Sequence, residues 1–341
     1  MKAKIAVMGG GAWGTALAAH AARLGHDVRL WAREDDVVRD VNDRHENRLF
    51  LEGASLPESL VASSDPQAVL AGVDVVLLVP PSAFLRAVTR DVVAPWLPEN
   101  AAVAIATKGI ENETHKLMLE VVADVLPGRA ASLAALSGPS FAREVALGQP
   151  TDVVVASKDE AVATRLADVL HAPFFRVYTS TDPIGAEVGG AMKNVLAVAA
   201  GACDGLGLGT NARAALVTRG LSEMARLGVA LGADPLTFMG LSGVGDLVLT
   251  TTGALSRNRS LGLKVAEGVD AAAWLKTQRT VAEGYLTAKA AFELATQKGV
   301  DVPITEQVYR VLHTGRPLVE AMQSLLHRAQ KEELWGIRPK A

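Results

Sequence analysis

The sequence of 341 residues has only one cysteine, Cys203, so no disulfide can form within the chain. Its formal net charge is only −3, which argues against a broad electrostatic attraction to nucleic acid or to an anionic membrane. No apolar run approaches the ~20 residues that a transmembrane helix needs, and the run Lys4–Met8 is too short for a secretion signal. The seven histidines lack the close spacing of metal ligands, so we expect no metal site. These absences predict a protein of the reducing cytoplasm.

Hydrophobic residues, by contrast, make up 49% of the chain, which is enough for a large core. Six short apolar segments, each followed by a turn or a helical pattern, read as strands: Lys4–Met8, His26–Trp31, Asp74–Val79, Ala102–Ala106, Ser132–Leu136 and Thr151–Ala156. Apolar strands that alternate with helices are typical of a doubly wound parallel sheet with both faces covered.

The character of the chain changes after about Tyr178, where strand-like segments stop and long alanine- and leucine-rich helical segments begin. The polar stretch Thr179–Pro183 lies at this change. We therefore predict an α/β protein with two domains: a Rossmann NAD(P)-binding domain over residues 1–180 and an all-helical substrate and catalytic domain over residues 181–341.

A glycine-rich turn connects the first strand to the first helix. Its sequence, Gly9-Gly10-Gly11-Ala12-Trp13-Gly14, is a GxGxxG motif, with a strand before it and a helix after it. In this setting the glycines let a pyrophosphate approach the backbone, and the helix N-terminus supplies amide donors and a favourable dipole. We assign Gly9, Gly11, Ala12, Trp13 and Gly14 to cofactor binding. The alternative is a purely structural glycine turn.

The exit of the second strand bears on which cofactor is used. An acid there binds the ribose 2′-hydroxyl of NAD, whereas an arginine suits the 2′-phosphate of NADP. Arg33 lies at this point and favours NADP, while the adjacent Glu34 can serve NAD. We expect NADP(H), NAD(H) or both as cofactors. A solvated charged turn is the alternative interpretation.

Seven segments resemble, in order and over nearly the whole chain, the bacterial NAD(P)-dependent glycerol-3-phosphate dehydrogenases. They are Gly11–Ala18, Ala106–Glu111, Leu136–Glu144, Gly190–Val195, Gly243–Leu247, Ser256–Arg259 and Val281–Tyr285. The resemblance implies a 6-phosphogluconate-dehydrogenase-like architecture. It also implies the interconversion of dihydroxyacetone phosphate and sn-glycerol 3-phosphate, which supplies phospholipid synthesis.

Lys193 is the candidate catalytic residue, because it stands in an apolar, helix-forming stretch. Burial disfavours an ammonium and brings the pKa of a lysine toward neutrality, where the side chain can both donate and accept a proton. By resemblance, Lys193 protonates the oxygen on C2 of the substrate during reduction. An exposed or snorkelling lysine is the alternative.

The resemblance also assigns the remaining site residues. It implies substrate contacts for Lys108, Gly138, Ser140, Lys193, Asp246, Ser256, Arg257 and Asn258, and cofactor contacts for Lys108, Ala142, Arg257, Val281 and Glu283. Ser256, Arg257 and Asn258 follow a loop and precede a helical run, so we expect them to anchor the substrate phosphate at a helix N-terminus. The alternatives are a surface lysine for Lys108, a proline turn at Gly138 and Ser140, a helix N-cap for Asp246 and a loop acid for Glu283. For the phosphate anchor, the alternative is a basic, solvated helix start with Ser256 as a simple cap.

Two other functions remain open at this stage. Dehydrogenases of the 3-hydroxyacid or 6-phosphogluconate type also join a Rossmann domain to a helical domain and use a lysine, but they anchor a different substrate. A cofactor sensor without turnover would need neither Lys193 nor an arginine–asparagine anchor. We expect a small-molecule substrate as the partner, no nucleic acid and no stable membrane insertion, with a homodimer as the candidate assembly.

Overall fold

The computed structural model describes residues 2–278, 282–333 and 335–336. The chain divides into two compact units. One consists of Met1–Thr107 together with Met118–Pro183, and the other of Lys108–Leu117 together with Ile184–Ala341. The sequence pattern assigned residues 108–117 to the first domain, whereas in the structure they pack with the helical unit.

The first unit is built on an eight-stranded sheet with the order β3-β2-β1-β4-β5-β6-β7-β8. Its strands are β1 Lys4–Met8, β2 Asp27–Trp31, β3 Val61–Ser63, β4 Val75–Leu78, β5 Ala102–Ile105, β6 Leu133–Ser137, β7 Thr151–Ala156 and β8 Phe175–Ser180. All six predicted strands are present, which confirms the Rossmann-type sheet. The chain order reverses between β1 and β4, and open α/β sheets place their ligands at the carboxyl ends of the strands beside such a reversal.

Helices and short helical turns connect the strands. The α-helices are α1 Ala12–Arg23, α2 Asp35–Arg39, α3 Pro66–Leu70, α4 Leu85–Val88, α5 Met118–Val125, α6 Ala142–Ala146 and α7 Glu160–Leu170. Two π-helical turns, Asp40–Arg44 and Thr89–Val93, and two 3-10 turns, Ser82–Phe84 and Ala130–Ser132, complete these connections.

The central strands of the sheet, β1, β4, β5 and β6, are buried on both faces almost throughout, as their continuous apolar sequences predict. Ile5 and Val7 of β1 point into one hydrophobic cluster, whereas Ala6 and Met8 of the same strand point into the other. Because successive side chains of a strand face opposite sides, a strand covered by helices on both sides must be apolar at every position.

Three features of the sheet differ from the sequence prediction. β7 pairs with β6 in antiparallel fashion, so the sheet is not parallel throughout. β8 pairs with β7 and has an exposed, polar face, which is why the pattern missed it and why the polar stretch at Thr179 looked like a linker. The strand β3 was also missed, since three residues are too few to show a period.

The second unit is helical, as predicted. Its helices are α8 Pro183–Gly205, α9 Gly209–Ala230, α10 Asp246–Thr252, α11 Arg257–Ala266, α12 Ala271–Thr277, α13 Glu283–Gln297, α14 Pro303–Thr314 and α15 Leu318–Leu326, with a 3-10 turn at Pro235–Met239 and a π-helical turn at Leu241–Gly245. Residues 185–198 of α8 are buried without interruption, so this helix forms the centre of the unit. Within the described ranges, no helix combines the length and the apolar character required to cross a bilayer.

Candidate active site

A close approach of two backbone segments brings the catalytic candidates together in the helical unit. A Cβ atom on Gly189, one turn before Lys193 on α8, would lie only 2.1 Å from the carbonyl oxygen of Ser242. Only glycine permits this contact. The turn that contains Ser242 leads directly into α10, whose first residue is Asp246. The glycine therefore lets α10 begin beside the lysine.

Four side chains meet at this point. The Nζ atom of Lys193 donates to Oδ1 of Asp246 at 2.5 Å and to Oγ1 of Thr250 at 3.0 Å. The Nζ atom of Lys108 donates to the other carboxylate oxygen, Oδ2, at 2.7 Å. Asp246 and Thr250 lie one turn apart on α10, so both face the same side. We call Lys108, Lys193, Asp246 and Thr250 the lysine–aspartate cluster.

The cluster is shielded from water: the side chain of Lys193 is 10% exposed and that of Asp246 is fully buried. Burial lowers the pKa of Lys193 to about 8, with Asp246 opposing this change and the positive charge of Lys108 adding to it. Burial alone would raise the pKa of Asp246, but the two ammonium groups outweigh it and hold that pKa below its usual value. The cluster thus joins an ionised carboxylate to a lysine that titrates near neutral pH.

The geometry excludes the alternative interpretations of these residues. Lys193 is buried rather than exposed or snorkelling. The N-cap of α10 is Gly245, so Asp246 is not a simple cap. Thr250 was missed by sequence reasoning, although its place four residues after Asp246 in a helical pattern was a signal that could have found it.

The predicted phosphate anchor lies at the start of α11, as expected. Ser256 is the N-cap, and its Oγ accepts a hydrogen bond from the backbone N–H of Arg259 at 3.2 Å. Arg257 is the first residue of the helix, and its side chain is exposed. Partial burial of its guanidinium lowers the pKa of Arg257, and the nearby carboxylate of Glu283, the first residue of α13, opposes this change. A helix N-terminus and a guanidinium are thus placed together, a combination that attracts anions.

Asn258, by contrast, is already engaged in a buried network. Its Nδ2 atom donates to Oδ1 of Asn194 at 2.8 Å, and its Oδ1 atom accepts from the backbone N–H of Gly284 at 2.9 Å. These bonds connect α11 to α8 and α13. Asn194, whose Nδ2 atom donates to the carbonyl of Gly190, therefore makes packing contacts within this network. Only one amide proton of Asn258 is left for a ligand.

The glycine-rich turn of the first unit has the geometry of a phosphate cradle. A Cβ atom on Gly14 would lie 1.9 Å from the carbonyl oxygen of Gly9, whereas a Cβ atom on Gly11 would meet open space. Gly11 is the N-cap of α1 and provides no side-chain cap for the first turn of this 12-residue helix. The free amides at that end of α1 are therefore available to an anion.

A buried asparagine that sequence reasoning missed holds this turn. The Nδ2 atom of Asn47 donates to the carbonyl of Gly10 at 2.9 Å and to Oγ1 of Thr15 at 2.8 Å. Its Oδ1 atom accepts from the backbone N–H of Phe50 at 3.1 Å. Asn47 is fully buried and lies 37 positions from Gly10, so no local pattern could reveal this contact.

Other predicted residues of the first unit lie where strands end. Gly138 directly follows β6, and Ser140 donates from Oγ to the carbonyl of Gly138 at 2.9 Å. Ala142 begins α6. Within the part of the chain that the structure describes, five buried side-chain atoms have no hydrogen-bond partner, and two of them are the indole N–H of Trp13 and the hydroxyl of Ser137. Both lie in the segments predicted to meet the cofactor or the substrate, which fits a ligand that completes their hydrogen bonds.

Arg33, the predicted discriminator between the cofactors, lies at the surface of the first unit. Arg33 projects into solvent, with 77% of its side chain exposed, and pairs with Glu34 at 3.0 Å. Val281 lies outside the described residues. Among the residues described, no cluster of three or more histidine, cysteine, aspartate or glutamate side chains could hold a metal ion.

Comparison with known proteins identifies the family of both parts of the chain. A family model described as the N-terminus of NAD-dependent glycerol-3-phosphate dehydrogenase matches residues 4–163, and one described as its C-terminus matches residues 182–323. A glycerol-3-phosphate dehydrogenase [NAD(P)+] from Nitratidesulfovibrio vulgaris is 51% identical over 97% of this chain and 100% of its own length. One from Geobacter sp. (strain M21) is 49% identical over 98% of this chain and 99% of its own.

Solved structures agree with the sequence matches. The crystal structure of a glycerol-3-phosphate dehydrogenase from Coxiella burnetii superposes with a TM-score of 0.90 at 42% identity, over 96% of this chain and 99% of that one. A yeast enzyme of the same name superposes with a TM-score of 0.77 at 27% identity, over 95% of this chain and 99% of that one.

Proposed function

The chain belongs to the NAD-dependent glycerol-3-phosphate dehydrogenase family, and from this premise we propose which of its residues perform the reaction. The reaction is the reversible reduction of dihydroxyacetone phosphate to sn-glycerol 3-phosphate with NAD(P)H, and it supplies glycerophospholipid synthesis. The roles that we assign to the catalytic residues rest on the geometry of the lysine–aspartate cluster. A buried lysine held by a carboxylate is the group that a ketone reduction needs beside the reacting oxygen.

Lys193 is the proton donor in this proposal. With a pKa of about 8, the amine is about nine-tenths protonated at pH 7, yet its neutral form is easily reached. In reduction the ammonium donates a proton to the oxygen forming on C2, and in the reverse direction the neutral amine accepts it. Asp246 and Thr250 orient the Nζ atom, and Lys108 adds positive charge near the developing alkoxide.

The cofactor-binding role falls to the glycine-rich turn. Gly9, Gly11, Ala12, Trp13 and Gly14 would hold the pyrophosphate, with Arg33 at the adenosine ribose, and we assign Lys108, Ala142, Arg257, Val281 and Glu283 to further cofactor contacts. When bound, the reduced nicotinamide supplies a hydride. Asn47 keeps the turn in its binding conformation through Gly10 and Thr15.

The substrate phosphate is assigned to the start of α11. Arg257 offers a planar pair of donors, Ser256 caps the helix, and Asn258 contributes its remaining amide proton. Gly138 and Ser140 are assigned to the substrate as well. Two domains with a boundary at residues 180 and 181 remain the division that we propose for these tasks.

An assay of NADPH oxidation tests the activity. The purified chain should oxidise NADPH when dihydroxyacetone phosphate is added, whereas hydroxyacid dehydrogenases would respond to 3-hydroxyacids or 6-phosphogluconate instead. A cofactor sensor would bind NADPH and show no turnover with any of these substrates. Failure with dihydroxyacetone phosphate would refute the assignment.

Arg257→Ala should raise the KM for dihydroxyacetone phosphate by about one to two decades. A charge-assisted hydrogen bond of about 1.5–3 kcal/mol is lost with the guanidinium. The weak turnover of unphosphorylated dihydroxyacetone should barely change, because it has no phosphate to bind. Equal effects on both ketones would show that Arg257 does not bind the substrate phosphate, and Lys108 would then be the next candidate.

Arg259→Ala is the matched control for this change. Arg259 lies two residues further along and pairs with Asp204 at 2.7 Å. Its removal should lower the melting temperature without changing the ratio of the two KM values.

Arg33→Asp should weaken NADPH binding about tenfold or more relative to NADH. The arginine pairs with a 2′-phosphate that NADH lacks, and an aspartate would repel that phosphate while accepting from a 2′-hydroxyl. Binding constants for both cofactors, measured by fluorescence titration, provide the test. Equal losses for both would show that Arg33 does not discriminate between them.

We also propose a cellular location and an oligomeric state for the enzyme. We assign the enzyme to the cytoplasm, which the single free thiol, Cys203, supports. A homodimer remains a prediction that sedimentation equilibrium would test.

A further inference from the structure

Residues 108–117 form a small hairpin that belongs to the helical unit. Ile110 and Leu117 pair as an antiparallel bridge, and the backbone N–H of Glu111 donates to the carbonyl of Lys116 at 3.0 Å. Ile110 and Leu117 are 1% and 4% exposed and pack into the same hydrophobic cluster as Val188 and Met192 of α8. The base of the hairpin is thus anchored in the core that surrounds Lys193.

Lys108 is the first residue of this hairpin. Its Nζ atom reaches Oδ2 of Asp246 at 2.7 Å, and its side chain is 15% exposed. A lysine has four rotatable side-chain bonds and loses much rotamer entropy when it is held in one position. The contact therefore depends on a backbone that is fixed in place.

The tip of the hairpin is held by a second set of contacts. His115 has a left-handed backbone with φ of 57°, a conformation that is uncommon for residues other than glycine. Its Nδ1 atom accepts from Nε2 of Gln297 at 2.8 Å, so its Nε2 atom carries the proton and donates to Oε2 of Glu293 at 2.9 Å. Glu293 and Gln297 lie one turn apart on α13, so one helix face satisfies both ring nitrogens.

We propose that His115 and Glu293 are positioning residues that clasp the hairpin onto α13 and thereby hold Lys108 at Asp246. The inference rests on the proposed role of Lys108 in the reaction. A left-handed residue other than glycine is strained, and it persists only where its surroundings determine its conformation. The clasp and the two apolar anchors hold this residue in its left-handed conformation, together with the hydrogen bond that its backbone N–H donates to the carbonyl of Glu111 at 2.9 Å.

A double-mutant cycle tests the inference. Glu293→Ala should lower kcat/KM for dihydroxyacetone phosphate about tenfold. In a Lys108→Ala background, the same change should have little further effect, because the residue that the clasp positions is already absent. Effects that multiply in the double variant would overturn the inference. Inactivity of the unmodified chain would instead refute the proposed function.

Three further variants separate positioning from general destabilisation. Glu293→Gln keeps an oxygen that can accept from Nε2 of His115, so it should retain most of the activity. His115→Asn tolerates the left-handed backbone but is too short for the clasp, and it replaces Glu293→Ala in the cycle if that variant does not fold. Glu306→Ala removes an acid that pairs with Arg310 at 2.7 Å on α14, and it should leave kcat/KM unchanged. Loss of activity in Glu293→Gln equal to that in Glu293→Ala would contradict the inference.

The pH profile offers an independent readout. The groups that set the charge of Lys193 are Asp246, Lys108 and Thr250, and the positive charge of Lys108 lowers the pKa of Lys193. Displacing Lys108 should therefore raise that pKa and carry the alkaline limb of the reduction rate to higher pH. Glu293→Ala should shift the limb in the same direction as Lys108→Ala. An unshifted limb would contradict the inference.

Discussion

Lys193→Ala is expected to reduce turnover of dihydroxyacetone phosphate by about 10²–10⁴-fold, the usual contribution of a general acid. The variant removes the ammonium that Asp246 and Thr250 hold in a buried position. The glycine-rich turn belongs to the other unit, so NADPH should bind with nearly unchanged affinity. Steady-state kinetics and a fluorescence titration of NADPH measure both quantities.

Two further variants make this result specific. Lys193→Met keeps most of the apolar stem and loses the charge, so it should be as inactive as Lys193→Ala. Lys264→Ala removes a partly exposed lysine that pairs with Glu267 at 2.7 Å, and it should leave turnover intact. Near-normal turnover in Lys193→Ala would remove this residue from the mechanism.

Asp246→Asn should shift the pH dependence of reduction toward acid. The carboxylate opposes the effect of burial on Lys193, so its loss lowers the lysine pKa below about 8. An opposite charge within ~4–6 Å is worth about 1–3 pKa units, so the rate should begin to fall at least about one pH unit earlier. At pH 8 the reduction rate should drop by about fivefold or more, since the protonated fraction of Lys193 falls from about one half to about one tenth or less, and acid should restore part of it.

Folding stability should respond to pH in the opposite sense. Without the carboxylate, Lys108 and Lys193 are left beside each other in a buried place, and breaking such a pair costs about 3–5 kcal/mol. The pKa of Lys193 in the folded variant lies below its unfolded value, so the unfolded chain binds more protons between these two values. The stability of Asp246→Asn should therefore rise with pH across that window, as thermal unfolding at several pH values would show.

Asp204→Asn is the matched control for Asp246→Asn. Asp204 also lies between two cations, with Arg259 at 2.7 Å and Arg213 at 3.1 Å, but it is outside the lysine–aspartate cluster. It should lower the melting temperature without moving the pH profile of reduction. A pH profile of Asp246→Asn that matches the unmodified chain would show that the carboxylate does not control Lys193.

The sequence alone determined the features that depend on local pattern. All six apolar segments became strands, because a strand buried on both faces must be apolar at every position. The GxGxxG turn was found between β1 and α1, because its glycines are required by close contacts between residues that are near in sequence. A Cβ atom on Gly14, for example, would clash with the carbonyl oxygen of Gly9. The start of α11 was found at Ser256, because an N-cap is decided by the next three residues.

Only the tertiary structure decided which side chains share a contact. The bond from Lys193 to Asp246 spans 53 positions and that from Lys108 to Asp246 spans 138. Neither spacing is periodic, because such contacts depend on which helix faces meet. Their meeting was set by a close approach at Gly189 and by a hairpin that packs with the helical unit rather than with the sheet from which it extends. The sequence thus supplied Lys193 as the candidate catalytic residue, whereas packing placed beside it the carboxylate of Asp246 and the second lysine, Lys108, which influence its pKa.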